Sequence, residues 1–339
     1  MKHEFQNIIE LKNLKAGYLS KKADIALIDN ANLELKSAEI IALLGKNGSG
    51  KSTLLKTICN LLPKIDGTII VNEKELSNYK TTELAKIVSY VSTEKIFAPD
   101  LKVFDILSFG AYQYSNWLGI IDKNSSDKIE QIIDLLKISH IQNRFYHTLS
   151  DGEKQKTMIG RALCQNTQII ILDEPTAFLD INNKLEILNL LKMLCYEHNK
   201  SIIFSSHDFS NVMKEADKIW FLDNKEITEG APEDLVLNNF FESKYNSDSV
   251  KFCPETANIL YNRKYSKTIG LIAYGELKTW TKAALERINF NVICNKTDSV
   301  NVVVNIENNY PIWSYSEADK IEKFNSIYDL INNLKHKKL

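Results

Sequence analysis

The sequence predicts an α/β fold with a parallel-sheet core and an antiparallel β subdomain at its N-terminal side, joined to a small C-terminal α+β domain. Three observations carry this expectation. Residues 40–44, 87–91, 168–172 and 201–205 are continuous apolar runs, the pattern of strands buried on both faces. Helical stripes separate them, with Ile129, Ile132, Ile133 and Leu136, and later Ile187, Leu190, Leu191 and Leu194, spaced i, i+3, i+4, i+7. Near residues 241–248 the chain turns polar and loses its periodicity, and a different pattern follows.

Taken in order, residues 8–14, 25–35 and 67–71 read as strands of the antiparallel sheet. Residues 40–44 enter the parallel sheet and lead into a helix carrying Leu54, Leu55, Ile58 and Leu62. Residues 218–222 and 226–228, joined at Asp223-Asn224, read as a hairpin closing the core. Pro232 opens a short helix at the position proline tolerates. The polar stretch Glu242-Ser-Lys-Tyr-Asn-Ser-Asp-Ser marks a boundary, so the expected domains are 1–245 and 246–339. Beyond it come strands at 250–253 and 268–273 and a helix at 277–288 with Leu277, Thr281, Ala284 and Ile288 on one face. Strands at 291–294, 300–306 and 312–315 and a helix at 327–334 follow, with Trp280 and Trp313 expected in the core.

Composition narrows the partners. With 42 basic and 43 acidic residues the formal net charge is -1, so no strong field draws in nucleic acid or an anionic membrane. No basic run is interleaved with aromatics, and no nucleic-acid partner is expected. The five cysteines, Cys59, Cys164, Cys195, Cys253 and Cys294, form no Cys-x-x-Cys pair and read as reduced thiols of a cytosolic protein. The start Met1-Lys-His-Glu-Phe lacks a signal-peptide apolar region. A spanning helix needs roughly 20 apolar residues, far longer than any apolar run here, so a membrane role requires a partner.

The chemistry concentrates at strand ends. Gly45-Lys-Asn47-Gly48-Ser49-Gly50-Lys51-Ser52-Thr53 fits G-x-x-x-x-G-K-[ST], between an apolar strand and a helix. Its glycines let backbone N–H groups curl around phosphate oxygens, and the helix N-terminus adds its positive dipole end. Lys51 supplies a point charge to β- and γ-phosphates, and the Ser52 hydroxyl is a Mg²⁺ ligand. The run Ile169-Ile-Ile-Leu-Asp173-Glu174-Pro175 ends in two carboxylates, where ligands bind in open α/β sheets. Asp173 suits the metal, and Glu174 suits a general base for water. His207, in Ser205-Ser-His-Asp208, follows another strand end, within reach of a γ-phosphate.

Leu149-Ser150-Asp151-Gly152-Glu153-Lys-Gln155 is a capping box by itself, with Ser150 as cap and Glu153 three residues on. Together with the two preceding motifs it resembles the signature of ABC-transporter ATPases, and the resemblance spans about residues 5–240. It implies an ABC-type nucleotide-binding domain of the P-loop NTPase class, with a helical subdomain. It implies that Ser150 and Gly152 bind the γ-phosphate of an ATP held by an opposite subunit. Tyr18 matches the aromatic that stacks on adenine, and Asp180, in Ala177-Phe-Leu-Asp180, matches the loop that shapes the dimer interface. Thr93 stands where the family has a metal-contacting glutamine, and Asp151 replaces a common glycine.

Pro175-Thr-Ala-Phe-Leu-Asp180, the Asp-Gly-Glu signature and Gly230-Ala-Pro-Glu-Asp234 are similar to importers of iron–siderophore, haem or cobalamin complexes. The segment Gly110–Gly119, with Tyr114-Ser-Asn-Trp117-Leu118-Gly119, is similar to versions in some bacterial members of that group. The resemblance implies an ATP- and Mg²⁺-dependent homodimer on the cytoplasmic side of the inner membrane. Its partners would be polytopic permease subunits and, indirectly, a substrate-binding protein. An efflux or lipoprotein-release ATPase and a soluble ABC ATPase acting on ribosomes or DNA stay open at this point. The C-terminal domain, too short for a second ATPase, reads as a regulatory or dimer-supporting appendage.

Overall fold

The computed structural model describes residues 6–21, 23–94, 97–112, 123–296, 298–318 and 320–336. Residues 113–119 of the segment Gly110–Gly119 lie outside them. The chain divides into two compact units, Met1–Phe241 with Pro254–Asn258, and Glu242–Cys253 with Ile259–Leu339.

In the first unit, β1 (Asn7–Tyr18) pairs antiparallel with β2 (Ile25–Lys36). Strand β3 (Ile40–Gly45) runs into helix α1 (Lys51–Ile58), and β4 (Lys64–Val71) with β5 (Lys74–Glu75) completes the antiparallel sheet in the order β2-β1-β4-β5. Helix α2 (Thr81–Leu84) precedes β6 (Val88–Val91). Three helices, α3 (Val103–Gly110), α4 (Lys123–Leu135) and α5 (Asp151–Cys164), then lead to β7 (Ile169–Leu172). Next come α6 (Ile181–Tyr196), β8 (Ser201–Ser206), α7 (Phe209–Glu215), β9 (Lys218–Asp223) and β10 (Glu226–Gly230), followed by α8 (Pro232–Leu237) and α9 (Phe240–Tyr245).

The second sheet runs β10-β9-β3-β8-β7-β6, parallel except for the β9–β10 hairpin. Helix α1 joins the two sheets. Its Leu54, Leu55 and Ile58 share one core with Ile9 and Leu11 of β1, Ile69 of β4, Ile41 and Leu43 of β3 and Ile203 of β8. Full burial of each such side chain contributes about 1.5–3 kcal/mol, so α1 is held mainly by packing rather than by its eight residues' intrinsic propensity.

The second unit begins at Glu242 within α9, and β11 (Val250–Cys253) and β12 (Asn258–Tyr261) then form a two-stranded sheet. Strand β13 (Lys267–Ile272), helix α10 (Gly275–Arg287), β14 (Phe290–Cys294), β15 (Val300–Glu307), β16 (Tyr310–Glu317), β17 (Lys320–Phe324) and α11 (Ile327–His336) follow. The sheet order is β14-β13-β15-β16-β17, with β13 parallel to both neighbours. The connection from β14 to β15 passes against Gly270, where a Cβ would lie 2.6 Å from the Lys296 carbonyl oxygen, so only glycine fits. Ile269, Leu271, Leu285, Val302, Trp313, Tyr315 and Leu330 form the core of this unit.

Several expectations are corrected. Helix α1 stops at Ile58, and Leu62 lies beyond Asn60, whose φ of 56° breaks the helix. The polar stretch from Glu242 is not wholly irregular, because α9 covers its start. Phe241 packs edge-on against Phe209 and Phe221, with ring centroids 4.7 and 5.9 Å away. Strands β12 and β17 were not expected. Trp313 is buried, but Trp280 is 67% exposed and is no part of the core. With Thr281 of α10 turned inward, the residue before it, 100° round the helix, points away.

Candidate active site

Strands β6, β7, β8 and β3 are parallel neighbours, so their C-terminal ends gather at one edge of the sheet. That edge collects the motifs. The phosphate-type loop leaves β3, Asp173 and Glu174 leave β7, His207 leaves β8, and Thr93 follows β6.

The loop is shaped for close approach. Gly48 and Gly50 have φ of 76° and 115°. A Cβ at Gly50 would lie 2.9 Å from the Leu27 side chain. Gly50 also caps α1, and no acidic side chain occupies that helix's first turn, leaving its N–H end free to receive an anion. Asn47, Gly48 and Ser52 are exposed, Gly45 and Ser49 half-buried, and Thr53 buried. The Ser49 hydroxyl is buried without a partner, a polar group that a phosphate oxygen would satisfy. Lys51 is 5% exposed and folds over the loop, donating to the carbonyl oxygens of Gly45 at 2.9 Å and Lys46 at 3.2 Å. Burial lowers its proton affinity, and the charges of Glu174 and Asp173 oppose that. Tyr18 ends β1 half-exposed, and its hydroxyl accepts from Thr53 at 3.3 Å.

Across from Lys51, Asp173 is 2% exposed. Its Oδ1 accepts from Ser205 at 2.7 Å and its Oδ2 from Tyr90 at 3.3 Å. Glu174 sits in the left-handed region at φ 46°, a conformation that costs a non-glycine residue about 1–3 kcal/mol. One of its carboxylate oxygens is 3.9 Å from Lys51 Nζ and the other 3.7 Å from His207 Nδ1. A cation, two carboxylates and an exposed imidazole thus converge where a phosphoryl group would sit. Burial, with the Asp173 charge adding, pushes the Tyr90 phenol up, so it remains a donor at neutral pH.

The signature residues Ser150 and Gly152 lie at the start of α5. Ser150 caps α5, accepting from Glu153 N–H at 3.3 Å while the Glu153 carboxylate accepts Ser150 N–H at 2.8 Å. The Ser150 bonds, then Arg144 at 3.3 Å, hold the Glu153 carboxyl below its ordinary range. Gly152 is buried under Asn183, whose side chain a Cβ there would meet at 2.8 Å. Asp180 caps α6, accepting from Asn183 N–H at 2.8 Å and Nδ2 at 3.0 Å. Asp151 is exposed and lines a cavity of about 390 Å³ together with Thr93, Glu94, Lys154, Glu174 and Phe178. Glu94, next to Thr93, is paired with Lys56 at 2.9 Å.

Sequence reasoning missed Ser205, Tyr90 and Asn183 as members of the site. The available signal was the polar pair Ser205-Ser206 ending β8 after the apolar run Ile202-Ile-Phe204. Tyr90 and Asn183 gave none.

An uncharacterised ABC transporter ATP-binding protein of Methanocaldococcus jannaschii is 32% identical over 297 residues, 87% of this chain and 94% of the relative. The chain belongs to the ABC transporter ATP-binding family. The ABC transporter family model matches residues 28–177 of this ABC ATPase, and the iron ABC transporter C-terminal domain matches residues 266–335. A petrobactin import ATP-binding protein of Bacillus anthracis is 31% identical over 216 residues, 63% of this chain and 79% of that protein. A solved metal-chelate type ABC transporter in an inward-facing conformation matches with a TM-score of 0.58 at 27% identity, covering 68% of this chain and 85% of that one. The ABC ATPase is an ATP-hydrolysing subunit. Among its described residues no helix is long and apolar enough to cross a membrane.

Proposed function

We propose that this ABC ATPase powers import of an iron–siderophore chelate, haem or cobalamin through a dimeric polytopic permease. It would sit peripherally on the cytoplasmic side of the inner membrane, and a substrate-binding protein would feed the permease. The observation that carries this reading is the iron-transporter C-terminal domain at residues 266–335 on the same chain as the nucleotide site. The petrobactin import protein supports the direction, and the metal-chelate type transporter supports a chelate as cargo.

The residues suggest how each half-site works. The N–H groups of Gly45, Asn47, Gly48, Ser49 and Gly50, with Thr53, would hold phosphates, and Tyr18 would stack on adenine. Lys51 would exchange its loop carbonyls for β- and γ-phosphate oxygens. Ser52, Asp173 and Thr93 would hold Mg²⁺, which neutralises phosphate charge when bound. Mg²⁺ takes few protein ligands beside phosphate oxygens, and no cluster of three or more His, Cys, Asp or Glu able to hold a metal unaided is present among the described residues. Glu174 would accept the proton of the attacking water, and His207, 3.7 Å from it, would orient that water. Ser150 and Gly152 would complete the site from a second copy, with Asp180 shaping the joint. One chain carries each half once, so two copies meet about a two-fold axis.

The C-terminal domain expected at residues 246–339 is assigned a regulatory or dimer-supporting role. Its removal with no change in ATPase activity, transport or dimerisation sinks that assignment. The import reading is tested by trapping the Glu174→Gln variant with Mg-ATP in detergent-solubilised membranes and measuring uptake of radiolabelled iron chelates in cells carrying it. A co-purifying polytopic permease and lost iron-chelate uptake are expected. Ribosomal or DNA-bound material with no permease, and undiminished uptake, overturns it.

A further inference from the structure

One buried hydroxyl links the two acids of the site. Ser205 is fully buried at the C-terminal end of β8. Its Oγ donates to Asp173 Oδ1 at 2.7 Å and accepts the Glu174 N–H at 2.8 Å. A serine hydroxyl has a single proton, so donation to Asp173 leaves only lone pairs for Glu174, and both bonds are satisfied at once. The second oxygen of Asp173 is held from the opposite side of β7 by the Tyr90 hydroxyl of β6 at 3.3 Å. The N–H that Ser205 receives belongs to the residue with the left-handed backbone, φ 46° at Glu174. Such a conformation persists only where its surroundings hold it, and this bond is one such restraint.

We propose that Ser205 is a positioning residue for the ATPase reaction, its Oγ setting at once the carboxylate plane of Asp173 and the peptide that aims Glu174. Tyr90 completes the grip on Asp173 alone. The proposal rests on the reading of Asp173 as the metal acid and Glu174 as the base. Replacing Ser205 by alanine would leave an Asp173 oxygen and the Glu174 N–H without this partner in a dry site, and both groups would lose their orientation.

The test compares Ser205→Ala, Ser205→Thr, Tyr90→Phe and Asp173→Asn in the full chain. Mn²⁺ affinity is read by electron paramagnetic resonance with a non-hydrolysable ATP analogue, beside metal-free nucleotide binding, melting temperature and kcat. Ser205→Ala is expected to weaken Mn²⁺ binding and lower kcat, each by about 10–100-fold, with metal-free nucleotide binding unchanged and the melting temperature lowered only modestly by the two groups left unpaired. Ser205→Thr, which keeps the hydroxyl, restores both. Tyr90→Phe weakens metal binding with a smaller loss in kcat, because it does not touch Glu174. Wild-type metal affinity and kcat in Ser205→Ala overturn the proposal. So do alanine and threonine variants that lose activity equally together with melting temperature, since that is packing alone. Asp173→Asn separates the two levels. If it binds Mn²⁺ like the wild type, the metal-acid reading fails; if it alone is impaired, only the role of Ser205 fails.

Discussion

The two large sheets that end each unit's fold treat polar side chains in opposite ways. The parallel sheet of the first unit buries Lys51, Thr53, Asp173, Ser205 and Ser206 at or just beyond the ends of β3, β7 and β8. In the second unit Thr281 is the buried polar residue among those described, and it is closed off by the Trp313 indole N–H at 2.8 Å. Burying a charge is costly unless partners compensate it, and Lys51 and Asp173 have them only in part, in loop carbonyls and hydroxyls. Such a cluster is a site prepared for a ligand's charge. Among the described residues, the second unit gathers no comparable cluster of buried charges.

The largest effect that sharpens this contrast is Glu174→Gln. Steady-state hydrolysis should fall about 10²–10⁴-fold, the usual weight of a general base, while nucleotide binding and the melting temperature hold. Thr281→Val should do the reverse. It leaves the buried Trp313 N–H unpaired, so urea melting should show the second unit weakened by about 1–3 kcal/mol with ATP hydrolysis intact. Ser150→Ala removes the cap of α5 and should cost about 0.5–2 kcal/mol in the same melt. It should also reduce hydrolysis beyond what that loss explains, if Ser150 serves a partner's nucleotide. Trp280→Ala, at an exposed position, should change stability by less than about 0.5 kcal/mol and leave ATPase rate alone. A large fall in hydrolysis from Trp280→Ala would break the comparison by giving the second unit a part in the chemistry.

Much of the first unit was legible because its signals are local. Continuous apolar runs at residues 40–44 and 168–172 end in Gly45 and in Asp173-Glu174, so strand, turn and chemistry sit within one short window. The grip on Asp173 was not, because Tyr90 and Ser205 lie 83 and 32 residues away in sequence and meet it only through the register of β6, β7 and β8. The exposure of Trp280 was implicit in the stripe through Leu277, Thr281 and Ala284, which leaves position 280 facing outward. Strand β17 escaped notice because Lys320-Ile-Glu-Lys-Phe mixes charge with apolar residues, a composition suited to a sheet edge, which is where it lies.

The claim on which the rest depends is that ATP is held between two copies of the chain, the phosphate loop of one facing Ser150 of the other. Light scattering on size-exclusion chromatography of Glu174→Gln, with and without Mg-ATP, tests it directly. The expected result is a single chain without nucleotide and a pair of chains with it. The pair should be lost when Ser150→Phe is added in the same background. A variant that binds Mg-ATP stoichiometrically and stays a single chain, or one that pairs equally well with Ser150→Phe, contradicts the claim.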